Sequence, residues 1–504
     1  MKFALIIALF LIAKKITKES IIKIKSKKLK KFRNLMINSP IYGNSNILHY
    51  YYTNLYIGEN RTNQTYILDT GSSITTSPCS LCENCSKHLN NPFPIKEKNI
   101  IDCNNSKCNM VNNICNDTNY NNSQCYFQIY YSEGSTLEGF FIDEIVNFEF
   151  INIKNNDTNK IPIGCTIKES TLFENQLIDG IIGLSNNNKS FTSILKNNLI
   201  IKNNIFSLCF ADEGGYFTID EINTLFHTSK NILYTKFKED NEHYTININN
   251  IIINNENFIV KKEAFIDSGS TYTYIPKKFS DKIIKQFFDI CDKDENKLNE
   301  RCGVYNKLDE YGHCFTFKNN TEIIYALKNI FPNIIFNINN ELNYTWFPKN
   351  YYFNISSEEY NNTICLGFNN KGSKFILGTT WMKGYDIIFN KENYTLGFVP
   401  SNCEGLIILQ NNLIKIIIIS FVIFLLIFII ICMIKIKSEN KTTVDKQVFD
   451  TKTPIINNYN DKTVTNNNES NEEDNFEENY NIEGNNAENY DNDDSSNSSD
   501  FDIK

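Results

Sequence analysis

Tyr66-Ile67-Leu68-Asp69-Thr70-Gly71-Ser72 and Ala264-Phe265-Ile266-Asp267-Ser268-Gly269-Ser270 nearly repeat each other. In each, an apolar run ends on an Asp, as it would at the end of a buried strand, and a hydroxyl residue, a Gly and a Ser follow. The second peptide comes about one domain length after the first. Two similar half-domains, each offering one carboxylate on a Gly-supported loop, predict one active site at their junction. A single Asp-Thr-Gly-Ser is an ordinary turn sequence. Two copies in matching strand–turn contexts point to chemistry.

That chemistry is hydrolysis without a covalent intermediate. One carboxylate takes a proton from water while the other, protonated, donates to the carbonyl oxygen. Two Asp side chains ~3 Å apart cannot both ionise easily, so they share one proton. Gly71 and Gly269 let the backbone turn tightly beside Asp69 and Asp267. Thr70 and Ser268 offer hydroxyls to lock the two loops together, and Ser72 and Ser270 offer hydroxyls to orient the carboxylates.

The rest of the chain sets the context. Residues 3–13 are all apolar, with Lys2 before them and Lys14-Lys15 after. This is the length of a secretory h-region, so residues 1–15 are expected to be a signal peptide; the competing readings are an anchor or a buried helix. Residues 14–33 carry ten Lys or Arg against a single Glu, and 16–47 reads as a propeptide-like extension or a solvated linker. Ile416–Ile434 is apolar apart from Ser420 and Cys432. At 1.5 Å per residue it spans about 28 Å, a bilayer core. Lys435, Lys437 and Lys441 follow it, which predicts a transmembrane segment over 413–435 with a lumenal body and a cytosolic C-terminus. Residues 436–504 hold 17 Asp or Glu against six Lys. The formal charge of −8 therefore belongs to an expected disordered tail and says nothing about the substrate. No folded basic patch or motif suggests nucleic-acid binding.

Fourteen of the 15 cysteines precede the apolar segment, an even number that permits seven disulfides in an oxidising compartment. Cys79, Cys82, Cys85, Cys103, Cys108, Cys115 and Cys125 crowd one stretch; Cys165, Cys209, Cys291, Cys302, Cys314, Cys365 and Cys403 complete the set. Cys79-x2-Cys82-x2-Cys85 also has zinc-ligand spacing, but the even count favours disulfides, with no metal. Seven is odd, so at least one of the crowded group pairs outside it, with Cys165 or Cys209 as candidates. Sequons such as Asn60-Arg61-Thr62, Asn343-Tyr344-Thr345 and Asn393-Tyr394-Thr395 permit glycosylation. Tyr50–Gly58, Phe140–Phe150 and Tyr244–Ile253 are rich in aromatic and β-branched residues and predict strands. Phe191–Lys196 and Pro276–Cys291 predict helices. The fold class is all-β with a few short helices, in lobes 48–232 and 233–405, the first holding a Cys-rich insert at 79–125 and a hairpin at 126–140.

At this point the chain resembles the pepsin-like aspartic protease family. Asp179-Gly180-Ile181-Ile182-Gly183-Leu184 and Phe375-Ile376-Leu377-Gly378 look like the apolar-apolar-Gly motifs that brace the two catalytic loops in that family. Ile129-Tyr130-Tyr131-Ser132-Glu133-Gly134-Ser135 is similar to its flap, making Tyr131 the flap Tyr. The resemblance covers roughly residues 48–405 and implies two β-rich lobes, a cleft for an extended peptide and no cofactor. Within the family the chain is similar to the plasmepsin V type, through its Pro78-Cys79 insert, flap and C-terminal apolar segment. Where that group can carry an unpaired Cys in the flap, Ser132 stands here. The resemblance implies an endoplasmic-reticulum protease cutting exported proteins after an Arg-x-Leu motif. Tyr131, Glu133, Gln176, Gly71, Gly269 and Thr271 then contact substrate, Glu133 and Gln176 holding its Arg. Two departures stand out. Ile74-Thr75-Thr76-Ser77 replaces the Trp usual after Asp69 in pepsins, and the acidic tail is long, with no known retrieval signal at its end.

Two other readings remain. One keeps the Asp pair but assigns broader cleavage in a Golgi or degradative compartment. The other is a catalytically weak cleft that sorts peptides as a receptor. A Ser-His-Asp hydrolase is disfavoured: His49, His88, His227, His243 and His313 accompany no nucleophile elbow and read as surface or structural residues.

Overall fold

The structure is a computed structural model. It describes residues 37–434 apart from 47, 84, 112–113, 116–123, 132–133, 150–159, 171–172, 174–175, 240–241, 292–301, 310, 356–359, 371 and 406–414. The expected signal peptide, most of the basic extension and the acidic tail lie outside the described residues.

Strand periodicity builds the body. Tyr50–Ile57 buries Tyr51, Thr53, Leu55 and Ile57 and leaves the alternate residues partly exposed, the two-residue period of a sheet with one packed face. Thr62–Asp69 is buried over its last six residues, because protein covers both of its faces near Asp69. Helices are few and short. Lys277–Cys291 turns Phe279, Ile283, Ile284, Phe287 and Cys291 inward at helical spacing. Pro276 precedes its first residue, where a missing N–H costs nothing. Phe191–Asn197 buries its first five residues.

Among the described residues the strands form sheets of 14, seven and four members. Six neighbouring strands of the largest are shared by the two halves of the sequence: Leu233–Lys236, Thr395–Pro400, Tyr385–Asn390, Ile205–Phe210, Glu213–Ile219 and Ile37–Asn44. The join is antiparallel, with Phe206 opposite Phe389 and Leu208 opposite Ile387. The Phe206 and Phe389 rings stack at 4.6 Å, and Tyr244 meets Phe389 edge-on at the same distance. Such pairs contribute about 0.5–1.5 kcal/mol beyond their buried area.

The N-terminal boundary needs correction. Ile37–Asn44, assigned above to the basic extension, is a strand of the shared sheet, pairing with Glu213–Ile219 and Tyr50–Ile57. Ile37 and Ile41 are fully buried, so Ile37–Asn44 is part of the protease body. The last strands of the second half likewise sit beside strands of the first, so the lobes interlock rather than meet at a clean border.

Disulfides between described residues staple this body: Cys79–Cys165, Cys82–Cys85, Cys108–Cys125, Cys209–Cys403, Cys291–Cys302 and Cys314–Cys365. Cys103 is disulfide-bonded as well. Cys82 and Cys85 are bonded to each other, so this spacing does not hold a zinc ion. Cys209–Cys403 fastens the shared sheet to the segment after its last strand. Lys415–Ile434 is one helix, long and apolar enough to cross a membrane.

Candidate active site

The two near-repeats occupy equivalent places. Asp69 ends the strand Thr62–Asp69, which runs parallel to Gly180–Gly183 with Asp69 opposite Gly183. Asp267 follows the strand Glu256–Ile266, which runs parallel to Phe375–Leu377 with Ile266 opposite Leu377. Each braced loop is then tied from behind. Leu184 N donates to Asp69 O at 2.7 Å and Ser185 N to Ser72 O at 2.9 Å; Asp267 N donates to Leu377 O at 3.0 Å and Thr379 N to Ser270 O at 2.8 Å. The glycines of the bracing motifs make this approach feasible. A Cβ on Gly183 would stand 2.3 Å from the Ser73 carbonyl carbon, and one on Gly378 2.2 Å from Tyr272 O.

The loops grip each other through their second residues. Thr70 N donates to Ser268 Oγ at 3.0 Å, and Ser268 N donates to Thr70 Oγ1 at 2.9 Å. Each hydroxyl passes its own proton onward, Thr70 Oγ1 to Ile266 O at 3.0 Å and Ser268 Oγ to Leu68 O at 2.6 Å. Every donor and acceptor of this buried crossing is used, which fixes the two loops in one relative geometry.

The carboxylates face one another across the grip. Gly71 N donates to Asp69 Oδ1 at 2.7 Å and Gly269 N to Asp267 Oδ1 at 2.9 Å. A Cβ on Gly71 would lie 2.7 Å from Asp267 Oδ1, and one on Gly269 would lie 2.5 Å from Asp69 Oδ1. Each glycine thus sits against the opposite carboxylate, where no side chain fits. Ser270 Oγ donates to Asp267 Oδ2 at 2.8 Å. Ser72 stands beside Asp69 and favours its ionised form, without a well-aligned hydrogen bond. Asp69 is buried and Asp267 partly exposed. Burial, then the charge of Asp267, pushes the Asp69 carboxyl up to about 7. One buried acid that keeps its proton beside a second carboxyl is what water activation requires.

Other expected contacts fare variously. Tyr131 follows the hairpin strand Cys125–Tyr130, whose return strand is Thr136–Phe148. Its ring packs edge-on against Phe173 at 5.3 Å. Phe173 was not singled out from the sequence. Glu133 lies outside the described residues. Gln176 contributes its backbone: its carbonyl faces His88 Nδ1 at 2.9 Å. Thr271 does not offer its hydroxyl to the carboxylate pair; Oγ1 donates to the His49 carbonyl, tying the second loop to the turn before Tyr50–Ile57. The stretch that replaces the Trp becomes structural, with Thr75 Oγ1 accepting from Gly183 N at 3.2 Å and Thr76–Pro78 pairing with Gly164–Thr166. Lys391 is another residue the sequence did not single out. Its buried ammonium, pushed down to about 7 by burial, donates to Ser185 O, Asn187 O, Ser190 Oγ and Ser193 Oγ. It thereby supports the Ser185 segment behind Ser72 from the second half of the chain. Among the described residues no group of three or more His, Cys, Asp or Glu is placed to hold a metal ion.

Comparison with known proteins agrees with this geometry. The chain matches the family models Xylanase inhibitor N-terminal over residues 51–219 and Xylanase inhibitor C-terminal over 243–400; one Asp loop falls in each. The chain belongs to the pepsin-like aspartic protease family. Among its relatives, plasmepsin V of Plasmodium falciparum is 24% identical over 72% of this chain and 73% of its own length. Aspartic proteinase 36 of Arabidopsis thaliana is 22% identical over 75% and 79%. Aspartic protease 5 of Toxoplasma gondii is 21% identical over 75% of this chain and 39% of its own length. The protease is an aspartic-type endopeptidase acting on peptide or protein substrates.

Proposed function

We propose that Asp69 and Asp267 are the catalytic pair of a membrane-anchored endopeptidase that processes proteins in the secretory pathway. The observation that carries this reading is the reciprocal Thr70–Ser268 crossing, which brings two carboxylates from opposite halves of the chain face to face. Asp69 holds the shared proton, because it is the buried member. Asp267, ionised, takes a proton from a water as that water attacks the scissile carbonyl carbon. Asp69 donates its proton to the carbonyl oxygen, giving a neutral tetrahedral diol. Collapse returns a proton to the leaving nitrogen and breaks the C–N bond, with no covalent enzyme intermediate.

The raised Asp69 lets the pair keep its shared proton up to near-neutral pH, so catalysis does not require an acidic compartment. In pepsin the pair gives up its protons in the acidic range; here burial and the charge of Asp267 hold the Asp69 proton up to about 7. Disulfides and the apolar helix Lys415–Ile434 fit a lumenal body on an endoplasmic-reticulum or neighbouring membrane. Cleavage after an Arg-x-Leu type motif follows from the likeness to plasmepsin V, with Glu133 and Gln176 as the proposed Arg-binding residues.

Incubating the purified protease with a randomised peptide library tests the activity and reports side-chain preference at once. Competition among Arg-x-Leu, Lys-x-Leu and Ala-x-Leu peptides tests the motif; equal turnover of all three removes it. The pH profile is a further check. Above its folded pKa Asp69 loses the shared proton, so kcat/KM should fall as pH rises through about 7, approaching tenfold per pH unit beyond it. The midpoint belongs to the pair rather than to one residue. A profile already falling between pH 4 and 5 would contradict the assignment.

A further inference from the structure

His88 lies in the Cys-rich insert, three residues after Cys85, yet its side chain is almost fully buried, at 3% exposure. Both ring nitrogens face acceptors. Nδ1 is 2.9 Å from Gln176 O, and Nε2 is 2.9 Å from Glu169 Oε1 and 3.1 Å from Oε2. A carbonyl oxygen can only accept, and an ionised carboxylate can only accept. Two acceptors flanking one buried ring favour the doubly protonated imidazolium.

The insert makes parallel contacts on either side of His88. Ser86 N donates to Glu169 Oε1 at 2.6 Å, Leu89 N to Leu177 O at 2.6 Å, and Asn90 N to Asp179 Oδ1 at 2.8 Å. Glu169 ends the strand Lys160–Glu169 and pairs with Leu137 of the hairpin that carries Tyr131. The next residue, Ser170, accepts from Thr136 N at 3.1 Å. Between Glu169 and Gln176 in sequence lies Phe173, whose ring abuts Tyr131.

We propose that His88 is a positioning residue for the flap: it fastens Glu169 and Gln176 together and so holds Phe173 behind Tyr131 when a peptide is bound. This rests on the protease reading, because it takes the 125–148 hairpin as the substrate-covering flap. The insert thus has a mechanical role: its residues 86–90 clamp the segment against which the flap leans. The charged groups facing His88 are Glu169 and Asp179, both acidic. Burial opposes the charge on His88, but Glu169, the Gln176 carbonyl and Asp179 together outweigh it, and the pKa stands above the ordinary histidine value. The clamp is complete below that ordinary value and is lost as pH rises through the raised one.

The test uses the full-length protease in detergent. His88→Phe/Glu169→Leu replaces the ion pair with apolar groups, which leaves no buried unpaired charge. We expect KM for a cleaved peptide to rise about tenfold, with kcat changed by less than about twofold. Amide hydrogen exchange across residues 125–140 should quicken about tenfold. Wild-type KM together with wild-type flap exchange in this variant would overturn the proposal. A second arm leaves His88 intact. In the Asp69→Asn chain, where the Asp69 titration is absent, peptide Kd should weaken as pH rises above the ordinary histidine range to the alkaline limit of the fold. It should not do so when His88→Phe/Glu169→Leu is added. A pH-independent Kd in Asp69→Asn would overturn the clamp even if the double variant fails to fold. Flap exchange needs no turnover, so a chain that cleaves nothing would sink the protease reading while the clamp is judged separately.

Discussion

Asp69→Asn is expected to abolish peptide cleavage, lowering kcat by about 10⁴-fold or more, the scale on which members of a catalytic unit act. Asn keeps the shape of Asp and still accepts from Gly71 N, which lies 2.7 Å from Oδ1. What it lacks is an acidic proton to give to the carbonyl oxygen. The fold should survive, and stability supplies an independent sign. Asp69 is raised from an ordinary 3.8 to about 7 by burial and by Asp267. Between those values the folded state binds more protons than the unfolded state, so the wild type loses stability as pH rises from about 4 through about 7. Asp69→Asn removes this loss. Its Tm should equal or exceed the wild-type Tm at pH 8, and the gap should close as pH falls to 4. Thermal scans at several pH values, beside a peptide cleavage assay, check both halves. Full retained activity would end the assignment of Asp69 as the acid.

The same residues show what a sequence can and cannot say. Asp69 and Asp267 were legible because their flanking tetrapeptides repeat and each follows an apolar strand. The hydrophobic spacing after Pro276 marked the helix Lys277–Cys291 for the same local reason. The strand Ile37–Asn44 was not legible. It contains Pro40 and Gly43, follows a basic stretch, and finds its partner in Glu213–Ile219, far along the chain. Its strand character comes from that partner and from buried contacts such as Ser39 Oγ with Thr53 Oγ1 at 2.8 Å, which no local pattern encodes. The odd number of cysteines in the insert required a partner outside it, but a count cannot choose Cys165 over Cys209; only folding brings Cys79 beside Cys165. His88 read only as a surface or structural residue. Its meaning arises from Glu169, 81 residues away. Thr271 shows the same from the other side: its place beside Asp267 suggested substrate contact, and folding adds a partner no local pattern names, the His49 carbonyl to which its hydroxyl donates. Local chemistry is thus written in the sequence, whereas the contacts that aim it are made between distant segments.

The Thr70–Ser268 crossing turns that distinction into a measurement. Thr70→Val leaves Ser268 N without its acceptor and Ile266 O without its donor, while Ser268→Ala does the same to Thr70 N and Leu68 O. All of these groups are buried, and an unpaired buried polar group costs about 1–3 kcal/mol. Each single variant should therefore lose about 2–4 kcal/mol of stability. Each should also lose about 10²-fold in kcat, because a small misplacement of either carboxylate spoils the shared proton. Losing either hydroxyl lets the two loops part and rehydrate the groups the other would have left unpaired, so Thr70→Val/Ser268→Ala should cost less than the sum of the single variants, with a coupling of about 1–3 kcal/mol by double-mutant cycle. Ser268→Thr, which restores the residue found in the first loop, should keep the hydroxyl and most of the activity. Urea unfolding and steady-state kinetics on the four proteins separate the outcomes. Strict additivity would mean the two loops are held independently, and the crossing would then not be what aligns Asp69 with Asp267.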